Sequence, residues 1–360
     1  MKLLSNLGYI IKVMSNMYEK RLKGVTFFVT SACNLRCVYC FNRENLGTSG
    51  DLSFDEIKKI VHFLPRLYGV LLSGGEPLLR PDIVDICELF AREKGVRSFG
   101  IPTNCLNRDN TINKINSIRN KVPDADIVAC CALDVFEETN DKYRGAGVYG
   151  KAVRTINELS KIKKNDLKIK ILINSVIVNE SVPRLLEFVD FVKNELDPDL
   201  HSLEVVRIDA AQGRNGLCSF TDGDFEIIKK ARLKIDRAYR SSDLFLKLYQ
   251  FRSSLLTQAQ SDIYFKRDKW PASCNAGRNS FVIMSNGGLS ICEFLPSLGN
   301  LRDYDYDYRK ILKNYEPIMR GEIRRHACDC MHIVYLKDAL DYSIPLLFLR
   351  SLFSNKLGKP

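Results

Sequence analysis

The sequence predicts an α/β fold around a parallel sheet, followed by a small cysteine-rich unit. Three observations predict it. Short runs of β-branched and aromatic residues alternate six times with longer amphipathic stretches between residues 25 and 215. The stretches between those runs are long enough for the crossovers that parallel pairing needs. From Trp270 to His332 the alternation gives way to cysteines, glycines and short β-like runs. Six such units can close as an open doubly wound sheet or as a partial (β/α) barrel, and both collect ligands at the C-terminal strand ends.

Residues 25–30 (VTFFVT) read as the first strand, leading directly into a cysteine loop. Ser53 and Glu56 form a capping box that opens a helix over 53–67, with Ile57, Ile60, Val61 and Leu64 on one face. Residues 69–72 are a short apolar strand. Pro81 suits the first turn of a helix that carries Ile83, Ile86, Cys87 and Phe90 and is stopped by Gly95. Strands follow near 97–101, 126–133, 168–178 and 202–208, with helices near 109–120, 149–164 and 181–196. Residues 221–262 read as helical and charged. The expected organisation is a basic amphipathic extension (1–24), six β-then-α units (25–215), a helical bridge (216–268), the cysteine-rich unit (269–332) and an apolar-basic tail (333–360).

The composition is that of a folded protein: 45% hydrophobic and 27% charged residues exclude a disordered polyelectrolyte. No run reaches the roughly 20 apolar residues needed to span a bilayer, and the N-terminus lacks the cleavage site of a secretory signal. A cytoplasmic protein is expected. Twelve cysteines in such a chain point away from disulfides. Cys33, Cys37 and Cys40 lie within eight residues, and Cys328 and Cys330 are one residue apart. Such crowding suits thiolates converging on a metal or cluster. Cys87, Cys105, Cys130, Cys131 and Cys218 read as buried free thiols, with Cys105 and Cys130 also conceivable as hydrogen donors.

Two motifs carry the chemistry. The segment SACNLRCVYCFN sets Cys33, Cys37 and Cys40 in a C-x₃-C-x₂-C spacing, which can hold three corners of a [4Fe–4S] cube and leave the fourth iron open. A zinc knuckle is the alternative, but it needs a fourth ligand that the neighbouring sequence lacks. In SGGEP, Gly74 and Gly75 let the backbone approach a ligand, and an exposed Glu76 can accept bonds from an ammonium group. A plain strand-to-helix turn is the other reading of those residues.

With both motifs on one rim, the sequence resembles the radical S-adenosylmethionine (radical SAM) superfamily. Over residues 25–332 it is similar to members with a C-terminal SPASM or twitch-type auxiliary-cluster domain. The resemblance implies a partial (β/α)₆ barrel in which Cys33, Cys37 and Cys40 ligate the [4Fe–4S] cluster that binds SAM. It places Tyr39 near adenine and assigns Gly74, Gly75 and Glu76 to the SAM ammonium. Pro102-Thr103-Asn104 resembles a Thr-Asn-Gly strand end, with Cys105 where glycine is usual. Asp134 belongs to a segment resembling Ser-Leu-Asp, although Ala132 cannot make the serine's hydrogen bond. Arg144 suits a SAM carboxylate, and Asn174 and Arg207 end later strands on the same rim. The alternatives are a surface ion pair for Asp134 and Arg144 and a solvent-facing charge for Arg207.

Near the C-terminus, Cys274 and Cys292 flank a glycine turn at Gly287-Gly288 within a predicted hairpin, and Cys328 and Cys330 follow. Four thiolates can close one auxiliary [4Fe–4S] cluster, with a zinc ribbon as the alternative. His332 reads as a surface histidine. The resemblance implies reductive cleavage of SAM to a 5′-deoxyadenosyl radical that abstracts hydrogen from a peptide or protein. The same chemistry on a sugar, lipid or cofactor precursor is the alternative, and a non-enzymatic iron–sulfur or zinc scaffold is a remoter one. A low-potential donor of the flavodoxin or ferredoxin type is the implied partner. The net charge of +11 forms no basic stripe interleaved with aromatics, so no nucleic-acid partner is expected. Both ends combine basic and apolar residues, which suits either peripheral membrane contact or a cover over apolar barrel surface.

Overall fold

The computed structural model describes residues 22, 24–207, 217–239, 243–267, 274, 276–277, 279–315, 331–334, 336–337 and 340, with 243–248 as backbone alone. The N-terminal extension, most of the tail, Cys328 and Cys330 lie outside the described residues, and so do both readings of the two ends, membrane contact and a cover over apolar barrel surface. No helix among the described residues is long and apolar enough to cross a membrane.

The six units are present. They run β1 (Gly24–Thr30), α1 (Phe54–Phe63), β2 (Gly69–Gly74), α2 (Ile83–Lys94), β3 (Ser98–Thr103), α3 (Arg108–Lys121) and β4 (Asp126–Ala132). After β4 come α4 (Glu137–Arg144), α5 (Val148–Asn165), β5 (Ile169–Ile177), α6 (Leu185–Phe191) and β6 (Leu200–Val205). The expected boundaries hold to within a few residues for most elements. The capping box at Ser53 is formed in both directions, and Gly95 ends α2 in the left-handed region at φ 67°. The first helix stops at Phe63 rather than 67. The expected helix 181–196 is α-helical only over α6, because a 3₁₀ segment containing Pro183 precedes it and a π turn follows. Helix α4 is an addition: EETNDKYR has no apolar stripe to announce it.

All six strands pair in parallel, and their order is β6-β5-β4-β3-β2-β1. The order never reverses, so there is no topological switch point of the doubly wound kind. Right-handed crossovers then carry successive helices to one face, which is the winding of a barrel. The core lies under them, where Phe27, Phe99 and Ile171 from the strands join Ile57, Phe90 and Ile156 from the helices in one cluster. Along β3 and β4 every second residue is buried there, and the alternate ones, such as Pro102, Cys130 and Ala132, line the other face.

Beyond β6, the stretch read as helical and charged forms α7 (Asp222–Tyr239) and α8 (Asp243–Tyr264). The predicted hairpin follows as β7 (Ser280–Ile283) and β8 (Gly288–Ser290), extended by the short β9 (Gly299–Asn300). Strand β7 pairs in parallel with β1 from Gly24↔Ser280 to Phe27↔Ile283, so one nine-stranded sheet runs through both regions. This pairing covers the edge that β1 would otherwise expose. It also fixes the cysteine-rich segment beside the cysteine loop. A bidentate bond set from Arg302 to Glu56, at 2.6 and 3.1 Å, ties β9 to the start of α1.

Candidate active site

The cysteine loop leaves β1 and is anchored from several directions. Thr30 Oγ1 and the Ser31 amide both donate to Asp51, at 2.9 and 2.8 Å. The Val38 amide donates to the carbonyl of Tyr143 at 2.8 Å, and Asn104 donates from its side chain to Asn34 at 2.7 Å. These bonds draw in β3, α4 and the chain before α1, so the loop depends on several of the βα units. Nothing in the local sequence marks Asp51 for this work.

The three thiols of Cys33, Cys37 and Cys40 are partly buried, and burial pushes those of Cys33 and Cys37 up. The charge of Cys40 raises both neighbours further, and that of Cys33 adds to the rise at Cys37. Three thiols on one short stretch, with no histidine or carboxylate between them, can each take a separate iron of a cubane. The donor set therefore fits a cluster.

Gly74 and Gly75 are needed for a reason the sequence does not reveal. A Cβ at Gly74 would collide with the Thr30 carbonyl oxygen, and one at Gly75 with the Ala32 carbonyl oxygen. The amides of Gly75 and Glu76 donate to those two carbonyls at 2.8 Å each. The strand end is thus stitched to the cysteine loop itself, and a side chain at either glycine would part them. Glu76, expected to be exposed, is 5% exposed. It accepts bonds from the Asn104 amide at 2.7 Å and the Leu78 amide at 3.4 Å. Burial still pushes its carboxyl up to about 7 against those bonds.

Asp134 and Arg144 form an ion pair, but a buried one, which corrects the surface placement considered above. Arg144 donates from Nε and Nη2 to the two Asp134 oxygens at 2.8 and 2.9 Å. The Val176 amide and the Tyr39 hydroxyl donate to the same carboxylate. Every oxygen lone pair of Asp134 is occupied by protein, and Tyr39 is buried against it. Asn104 spends its side chain on Asn34 and the Leu106 amide. Asn174 lies opposite Ala132, the last residue of β4, and its Oδ1 is buried with no partner, ready for a donor from a bound molecule. Cys105 adopts φ 57°, a left-handed conformation that explains glycine's usual place there. It lies in the core under α5, where its carbonyl accepts from Thr155 at 2.8 Å, whereas Cys130 lies on the other face of the sheet.

Arg207 does not face solvent. Its guanidinium is sandwiched between the rings of Phe41 and Phe294, 4.2 and 4.3 Å from their centroids. Its Nη2 lies 3.2 Å from Glu293 and 3.0 Å from His332, and its Nη1 is buried without a partner. His332, expected on the surface, is buried against Glu293 at 3.0 Å and edge-on to Phe294. Burial alone would raise the Glu293 carboxyl, yet His332 and Arg207 hold it at about 2. Glu293, Phe41 and Phe294 had no signal beyond adjacency to cysteines. Cys274 and Cys292 share a small apolar cluster with Ala276, Phe294 and Leu295.

Comparison with known proteins identifies the first half of this architecture. Residues 27–192 match the Radical SAM superfamily. A 101-residue segment is 39% identical to the GTP 3′,8-cyclase of Limosilactobacillus fermentum, covering 27% of this chain and 30% of that protein. A 167-residue segment is 31% identical to the mycofactocin maturase MftC of Mycobacterium ulcerans, covering 46% of this chain and 42% of that one. The aligned segments thus span less than two thirds of these curated relatives. The solved structure of native anSMEcpe with bound AdoMet and the Cp18Cys peptide superposes with a TM-score of 0.58 at 15% identity, covering 92% of this chain and 99% of that one.

Proposed function

Because residues 27–192 form a radical SAM domain, we propose that this chain is a radical SAM enzyme that modifies a peptide or protein. Members of this superfamily use a [4Fe–4S] cluster and SAM and need an electron donor. The reading is carried by one observation: a loop with three partly buried thiols stitched through backbone bonds to a Gly-Gly-Glu strand end whose glutamate is buried. When bound, the cluster supplies an electron for reductive cleavage of SAM to a 5′-deoxyadenosyl radical that takes a hydrogen atom from the substrate.

This chain's own residues have distinct tasks. Cys33, Cys37 and Cys40 hold the cluster, and Gly74 and Gly75 keep the strand end against their loop. Glu76 offers its carboxylate to the SAM ammonium, and Asn174 offers its unpartnered oxygen on the same rim. Asp134, Arg144 and Tyr39 act behind the loop as a buried brace rather than by touching SAM. Cys274 and Cys292, with Cys328 and Cys330, hold one auxiliary [4Fe–4S] cluster. A flavodoxin or ferredoxin is the electron source.

The peptide reading is supported by the fold neighbour that binds a peptide and by the maturase relative. A small-molecule substrate is the second reading, favoured by several GTP 3′,8-cyclase relatives and by an Fe-coproporphyrin III synthase. The test is anaerobic reconstitution with iron and sulfide, followed by reduction and electron paramagnetic resonance with and without SAM. The expected results are a SAM-dependent change in the cluster signal, release of 5′-deoxyadenosine and about eight irons per chain. Bound zinc with no SAM cleavage would instead indicate a scaffold.

A further inference from the structure

Beside the cysteine loop lies an open cavity of about 420 Å³, walled by Asn34, Leu106 and Asn107 together with Arg108, Lys151 and Arg154. Asn34 directly follows Cys33, and Asn104 bonds it to the end of β3, so this wall is continuous with the cluster loop. Asp109 is the single acid among the lining residues, and Arg108 takes it up at 2.8 Å. Lys151 and Arg154 are exposed and have no ion-pair partner among the described residues. A further cation, Arg36, folds back onto the carbonyls of Cys33 and Leu35 at 2.8 and 2.9 Å. On its other side Cys37 feels the charges of the buried Asp134–Arg144 pair. Positive charge therefore lines this flank of the loop.

Electron-transfer partners form small, short-lived interfaces and depend on charge complementarity to find the right orientation. A concave site of one sign concentrates that attraction. We propose that this basic cavity is the docking surface for an acidic one-electron carrier protein, seated over Asn34 beside Cys33. The inference rests on the radical SAM reading and adds where the electron enters. In the transfer the carrier is oxidised by one electron and the cluster is reduced by one, with no bond made or broken in either protein.

The test uses the reconstituted full chain, a flavodoxin of net negative charge as the probe, and the double reversal Lys151→Glu with Arg154→Glu. Both side chains are exposed and lie outside the cluster and SAM sites, so the variant keeps its fold. Flavodoxin affinity, read by biolayer interferometry, is expected to fall about tenfold in the variant, and to fall in the wild type as salt is raised. Flavodoxin-driven formation of 5′-deoxyadenosine should fall by a similar factor while dithionite-driven formation is unchanged. Unchanged affinity and flavodoxin-driven rate in the variant would overturn the docking surface, and so would equal losses with both reductants. No SAM cleavage by the wild type with dithionite would instead sink the radical SAM reading, while the affinity measurement still judges the docking.

Discussion

Arg207, two residues beyond β6, pairs with Glu293, one residue beyond Cys292, at 3.2 Å. The same guanidinium is held between Phe41, which follows Cys40, and Phe294, which follows Glu293. One side chain from the last barrel strand therefore joins the residues next to a cysteine of each proposed cluster. Both members of the ion pair are largely buried, so their mutual charge and the flanking rings must offset the cost of leaving water.

Removing one partner leaves the other charge buried. Arg207→Gln is expected to cost about 3 kcal/mol of stability. Arg207→Lys should recover only part of it, because an ammonium cannot stack between two rings. Chemical denaturation of the two variants checks this, and equal stability of Arg207→Gln and the wild type would contradict it.

The brace behind the cysteine loop should behave unequally across its members. Asp134→Asn strands a buried guanidinium and is expected to cost about 3–5 kcal/mol. Tyr39→Phe removes one of four bonds to the carboxylate and should cost about 1 kcal/mol. Urea unfolding measures both, and a larger loss in the tyrosine variant would reverse the assignment of roles.

Gly75→Ala drives a Cβ into the Ala32 carbonyl, so the strand end must part from the cysteine loop. Iron retained at the first site after anaerobic reconstitution is expected to fall well below the four of the intact cube. The cysteine-rich segment is unaffected by the change, so total iron should settle at about four per chain. A full complement of about eight would show that the loop tolerates the separation.

Glu76 gives the apoprotein a pH dependence of definite sign. Its carboxyl is raised from 4.5 to about 7 in the folded state, so folding holds that proton more tightly than the unfolded chain does. The stabilising contribution is full below pH about 4.5 and is lost as pH rises through about 7, a change of about 3 kcal/mol. In Glu76→Gln this component disappears. The difference between the two proteins should therefore grow in the variant's favour from pH 5 to 7.5, and a flat difference by calorimetry would refute it.

The strand and helix pattern was legible because it is local. Alternation at period two along 126–132, the Ser53–Glu56 capping box and the Gly95 stop each need only neighbours in the chain. Helix α4 escaped notice because its burial comes from Asn140, Tyr143 and Arg144, two of them polar, whose partners lie elsewhere. The misplacements share one cause. Glu76 and His332 were expected at the surface, and a surface ion pair was the alternative reading of Asp134 and Arg144, since an ionisable side chain is buried only when partners satisfy it. The decisive partners, the Asn104 amide just beyond β3, Glu293 and the Val176 amide of β5, lie far along the chain from the side chains they meet.

By itself the sequence determined the alternating α/β units, the three-cysteine loop and the glycine pair, because spacing along the chain is enough to specify them. Only the tertiary structure decided the monotonic strand order, the addition of β7 to the edge of β1, and the burial of Arg207 between two aromatic rings. Those three features depend on which surfaces meet once the chain has folded, and a linear pattern holds no record of residues brought together from opposite ends.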